Sequence, residues 1–203
     1  MPYSNRFRLV LAVLLITAGS AVSAQAQQTI VFFRHGEKPS GGLGQLTCQG
    51  LNRALALPSV LIGRYGRPDF LYAPDPAVKM REGTGSYYYV RPLATIEPTA
   101  IRAGRSVNTH YGYNQINYLE SLLIRSSKAN TTIFVAWEHA YLVKVVQNIM
   151  NHYGGGAAVP AWISGDYDSL YVVRVKYSSS GITATFDRDV EGLNGLPTSC
   201  PAQ

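Results

Sequence analysis

The sequence predicts an α/β protein, a three-layer α/β/α sandwich around a mostly parallel central sheet. Three observations predict it. Two short apolar runs, at 30–33 and 131–137, have the length and the β-branched and aromatic content of buried strands. Stretches with helical spacing lie between and after them, and two further strand-like runs near the C-terminal end close the pattern as a hairpin.

Taken in order, the first 26 residues read as a secretory signal peptide. Arg6 and Arg8 precede an apolar run at 9–16, and small residues follow in Ala21-Val22-Ser23-Ala24-Gln25-Ala26, with cleavage expected after Ala24 or Ala26. The run is short for a bilayer span and no second one follows. The remaining chain, 27–203, is therefore expected to be one domain, periplasmic or secreted, without stable membrane association once the leader is gone.

The strand at 30–33 runs into Arg34-His35-Gly36, and Pro39-Ser40-Gly41-Gly42 opens a loop. A helix is predicted over 46–62, with Leu51, Leu55 and Leu61 at helical spacing and Thr47 as its N-cap. A strand at 69–73 is closed by Pro74-Asp75-Pro76, and a loop reaches to about Gly85. Pro92 suits the start of a helix over 93–103, which Pro98 is expected to delay or kink. Residues 106–113 read as strand or loop, and 116–124 as a helix. The strand at 131–137 ends on Glu138-His139. A helix over 142–153 has Val143, Val146, Ile149 and Met150 on one side before three glycines stop it. Strands at 170–177 and 182–187 form the closing hairpin, and no internal repeat is visible.

Composition narrows the function. Of 203 residues, 46% are hydrophobic and 15% charged, which suits one compact core. The formal net charge is +6, of which Arg6 and Arg8 carry two, leaving +4 after the leader. The basic residues are scattered singly, without the patch or stripe of a nucleic-acid binder, whereas a modest positive charge steers an anionic small substrate. Cys48 and Cys200 are the only cysteines. An even count in an exported chain invites a disulfide, with two free thiols as the other reading.

The chemistry concentrates where two strands end. Arg34-His35 and Glu138-His139 follow apolar strands, and in a parallel sheet both ends lie at the same edge, where α/β folds place ligands. Arg91, at a helix start, can join them. Two arginines and two histidines beside a helix N-terminus make a pocket for a tetrahedral dianion. Tyr87, Tyr88 and Tyr89 form either an aromatic wall over a substrate or, more commonly for strand tyrosines, packing.

Arg34-His35-Gly36-Glu37-Lys38-Pro39, the stretch from Val90 to Pro98 and Trp137-Glu138-His139, in this order, resemble the histidine phosphatase superfamily, the phosphoglycerate-mutase-like group. The resemblance spans about 29–175 and implies that fold, with a small phosphorylated substrate and neither cofactor nor metal. It implies that His35 is the nucleophile that becomes phosphohistidine, with Arg34, Arg91 and His139 holding the phosphate. A histidine attacks phosphorus only while neutral, and nearby guanidinium groups disfavour its protonation. Its other ring nitrogen needs an acceptor, a backbone carbonyl in this family.

The leaving oxygen wants a proton, and here the sequence departs from the family. Relatives draw a glutamate from the segment after the second arginine or an aspartate directly after the second histidine, a position held here by Ala140. The candidates are Glu138, Glu37 and Glu120, with Glu138 preferred. The function expected is an exported phosphatase hydrolysing phosphomonoesters. Alternatives are a phospho-ligand-binding module of weak or no turnover and a phosphomutase, whose cytosolic metabolites export disfavours. A metal hydrolase built on His35, Glu138 and His139 is disfavoured because adjacent strand residues face opposite ways.

Overall fold

A computed structural model describes Met1 and residues 26–201, so all of the expected leader but Met1 and Ala26 lies outside the described residues. Eight strands and four α-helices follow in the order β1 (Ala26–Arg34), α1 (Cys48–Tyr65), β2 (Phe70–Tyr72), β3 (Lys79–Glu82), β4 (Gly85–Tyr88), α2 (Arg91–Ala103), β5 (Val107–Asn108), α3 (Ile116–Leu123), β6 (Thr132–Trp137), α4 (His139–Tyr153), β7 (Ser169–Ser178) and β8 (Gly181–Val190). Six strands form one sheet in the order β5-β2-β6-β1-β7-β8. Neighbours from β5 to β1 are parallel, and β7 and β8 add an antiparallel edge.

Alternation along β1 separates the two cores. Ile30 and Phe32 face the layer of α3 and α4, where they meet Leu119, Leu142, Val146 and Ile149. Val31 and Phe33 face α1 and α2, where they meet Leu57, Leu61, Ile96 and Ala100. All four strand residues are fully buried, and each contributes roughly 1.5–3 kcal/mol of hydrophobic stabilisation. This is the predicted three-layer sandwich.

Several elements differ from the sequence reading. The stretch before Gly85 is a hairpin rather than a loop: β3 pairs with β4 as a separate two-stranded ribbon, with Gly83 at positive φ in its turn. The region 106–113 keeps only the two-residue β5. Pro98 lies inside α2, which begins at Arg91 itself. Helix α4 starts at His139, with no loop after β6, because the Glu138 side chain caps it.

Cys48 and Cys200 are joined in a disulfide that ties the C-terminal tail to the first residue of α1. Asn52 strengthens that strap by donating to the carbonyls of Pro197 and Ser199 at 2.9 and 2.8 Å. Among the described residues no helix is long and apolar enough to cross a membrane.

Candidate active site

The register of β1 and β6 sets the site. Arg34 stands opposite Trp137 in parallel pairing, and the His35 N–H donates to the Trp137 carbonyl at 3.3 Å, so Arg34-His35 and Glu138-His139 leave the sheet side by side. Arg91, first residue of α2, is fastened to the same place by Thr95. That buried hydroxyl accepts from the Gly36 N–H at 2.9 Å and donates to the Arg91 carbonyl at 2.8 Å. Gly36 is required by contact: a Cβ there would lie 2.9 Å from the Gly50 carbonyl oxygen. The α1 N-terminus, capped by Thr47 through Gly50 N–H at 3.1 Å, is pressed against this loop.

Arg34, His35 and Arg91 are 3%, 2% and 1% exposed. Burial first, then the charges of Arg91, Arg34 and His139, hold the His35 pKa well below its ordinary value, so the ring is neutral. Its Nδ1 lies 2.7 Å from the Gly36 carbonyl oxygen, which makes Nδ1–H the donor and leaves the Nε2 lone pair free.

Both guanidinium groups are held by acceptors that leave part of their donor set unused. Arg34 uses Nη1 alone, donating to the carbonyls of Ser164 and Asp166, the latter at 3.1 Å, while its plane lies over the Tyr167 ring at 4.1 Å. Arg91 donates through Nη1 to Gly42 O at 3.2 Å and to Glu82 Oε2 at 2.8 Å, and through Nη2 to Glu82 Oε1 at 2.6 Å. In each case the buried Nε–H has no partner among the described residues. An arginine carries five N–H donors in a fixed fork. These contacts leave the whole Nε/Nη2 edge of Arg34 unused, and in Arg91 the Nε–H together with the second hydrogen of an Nη2 already bonded to Glu82; that edge is the pair of donors that meets two phosphate oxygens.

Glu82, which the sequence reading passed over, is the carboxylate that positions Arg91. It also accepts from Gly44 N–H at 3.1 Å and Lys38 Nζ at 3.2 Å. Burial pushes its pKa up, but these four donors outweigh it and bring it down to about 2.

The carboxyls considered as proton donors are all otherwise engaged. Glu138 Oε2 accepts from the N–H groups of Ala140 and Tyr141 at 2.8 and 3.0 Å, and Oε1 lies 2.6 Å from His139 Nδ1. Burial raises its pKa, yet the His139 contact and the two backbone donors prevail and hold it below the ordinary value. That is the wrong protonation state for an acid, and the role its surroundings support is to cap α4 and fix the His139 ring. The two side chains meet, so the expectation that they face apart fails because the strand has already ended. Glu37 grips Arg53 at 2.7–3.1 Å. Arg53 Nη1 also reaches Asp168 at 3.3 Å and Glu191 at 2.5 Å, making a buried cluster of one cation and three carboxylates behind the loop. Glu120 pairs with Asn148 and His152 in a separate cleft on α3 and α4, lined by none of the core residues.

A cleft of about 260 Å³ runs beside His139, with Val143, Lys144, Ala161 and Trp162 in its walls. Trp162 belongs to the same loop that supplies Ser164 and Asp166 to Arg34.

Solved structures share this architecture. Phosphoglycerate mutase from Plasmodium falciparum superposes with a TM-score of 0.54 at 13% identity, over 88% of this chain and 99% of that one. The fold is phosphoglycerate-mutase-like. A mycobacterial glucosyl-3-phosphoglycerate phosphatase, in complex with inorganic phosphate, matches at 0.52 and 14% identity, over 78% and 95% of the two chains. A candidate phosphohistidine phosphatase, SixA from Nakamurella multipartitia, matches at 0.51 and 15%, over 79% and 95%. No protein-family model matches the sequence, and no curated protein is significantly similar to it.

Proposed function

We propose that this chain is an exported phosphatase that hydrolyses small phosphomonoesters through a phosphohistidine on His35. One observation carries the reading: two buried arginines, each with an Nε–H that is unpaired among the described residues, flank a neutral imidazole whose Nε2 has no partner among them either. A phosphoryl dianion satisfies both donors and meets a nucleophile in the state needed for attack. In the first half-reaction Nε2 bonds to phosphorus as the bond to the leaving alcohol breaks, while Arg34, Arg91 and His139 hold the equatorial oxygens. In the second, water attacks phosphorus, the P–N bond breaks and orthophosphate leaves. The mutase and phosphatases of like fold support a phosphorylated ligand, and the leader pattern supports export over a mutase role.

A second reading, a binding module that retains phospho-ligands without turnover, is favoured by one fact: every carboxyl proposed as acid sits among donors or cations. One assay separates them. Mature protein is incubated with p-nitrophenyl phosphate, with and without chelator, beside His35→Ala. Turnover by the parent, indifferent to chelator and lost in the variant, is the expected result. Phosphate binding without turnover supports the module, and activity that survives His35→Ala overturns the nucleophile.

A further inference from the structure

Tyr89 is the unused group of the site. Its side chain is fully buried, and its hydroxyl has no hydrogen-bond partner among the described residues. The ring stands edge-on to the His35 imidazole, with centroids 6.0 Å apart, and the Arg91 guanidinium carbon lies 4.9 Å from the ring centre. Tyr113 packs against it at 5.6 Å. The phenol oxygen lies close to the Arg91 side chain without a hydrogen bond of good geometry, and the charges of Arg91, Glu138 and Glu82 act on it. A buried hydroxyl with no bond made is destabilising, a deficit that a ligand oxygen removes.

The other candidates for proton donation are acceptors already. Glu37 forks onto Arg53, Glu82 onto Arg91, and Glu138 takes two backbone N–H groups. The Tyr89 phenol, by contrast, is a donor with no acceptor among the described residues, and burial raises its pKa, so the proton is present at neutral pH.

We propose that Tyr89 is a catalytic residue, the proton donor to the leaving oxygen; the assignment rests on the phosphohistidine reading above. As the P–O bond breaks, the electron pair goes to the leaving oxygen, which takes the phenol proton, leaving phenolate beside the Arg91 cation. When water then attacks the phosphohistidine, the phenolate takes a proton from that water and the phenol is restored. An alkoxide is a stronger base than an ordinary phenolate, and the Arg91 charge beside the ring opposes the burial that weakens this phenol as an acid.

The test is Tyr89→Phe, which keeps the ring, assayed on p-nitrophenyl phosphate and on 2-glycerol phosphate. Nitrophenolate leaves with little help from an acid, whereas a glycerol alkoxide needs one. The expected result is a loss of about 100-fold in kcat/KM for the alkyl ester, within the range for general acid catalysis, and a change of about fivefold or less for the aryl ester. Equal losses on both, or no loss on the alkyl ester, overturn the role. A series of aryl and alkyl esters with the parent protein gives an answer independent of the variant's folding: a shallow dependence of kcat/KM on leaving-group pKa is expected, and a steep one overturns the proposal. Parent protein that turns over neither ester removes the phosphohistidine reading and this role together, whereas parent turnover with an unaffected Tyr89→Phe removes only the role.

Discussion

Replacing Glu191 with glutamine should stabilise the protein at alkaline pH. Glu191 is 1% exposed, and one of its oxygens, Oε1, has no partner among the described residues. It shares one cation with two other carboxylates. Arg53 commits Nε and Nη2 to Glu37 and offers Glu191 and Asp168 only Nη1. Burial, reinforced by the negative charges of Asp168 and Glu37, outweighs the pull of Arg53 and pushes the Glu191 carboxyl from an ordinary 4.5 up to about 8. The sign follows from linkage. The folded state holds this proton more tightly than the unfolded chain, so the contribution is fully present below about pH 4.5 and is lost as pH rises through about 8. At 1.36 kcal/mol per pH unit the ceiling is about 5 kcal/mol, and rearrangement around an ionised Glu191 brings the expected loss to about 2–3 kcal/mol. Glutamine keeps the shape and never ionises. Thermal melts of the oxidised parent and Glu191→Gln from pH 4 to 9 should differ little at pH 4, diverge already by pH 6 and separate by about 5–10 °C at pH 9, the variant melting higher. Parallel curves, or a variant less stable at pH 9, would mean that Glu191 is an ionised partner of Arg53 and would refute the reasoning.

Glu82→Gln should lower kcat/KM for p-nitrophenyl phosphate about tenfold and weaken inhibition by orthophosphate, because Arg91 loses a charged bidentate partner; tighter phosphate inhibition would show instead that Glu82 competes for the phosphate seat. Because His35 must be neutral to attack and its pKa lies well below 6.5, the enzyme's own acid limb in kcat/KM should fall well under that value once substrate ionisation is subtracted. An inflection near 6.5 would contradict it. Reducing Cys48–Cys200, which encloses a sequence separation of 152, should cost about 4–5 kcal/mol in the chain-entropy model, and chemical denaturation with and without reductant measures it.

What could be read from the sequence follows from where burial is strong. The apolar runs ending in Arg34-His35 and Glu138-His139 are legible because a central parallel strand is apolar on both faces and its end stands out. Thr47 is legible as a cap because its side chain type is a favoured one. Glu138 is not, since glutamate is uncommon as an N-cap, and so the sequence places the start of α4 three residues late. The hairpin of β3 and β4 is half-exposed on both strands, leaving no apolar stripe to mark it, and with it Glu82 goes unseen. The supports of Arg34 are the carbonyls of Ser164 and Asp166, and backbone acceptors leave no trace in side-chain identity. Thr95 was hidden for a related reason: its two bonds join segments 59 residues apart and across one helical turn.

The direction of β1 decides how the molecule can be attached to anything. Ala26 pairs with Tyr177, next to the β7–β8 turn, while Arg34 emerges at the other end of the same strand. Nine residues of strand put these ends about 30 Å apart. A resin or fusion partner joined ahead of Ala26 is thus attached at the end of the strand away from Arg34 and His35.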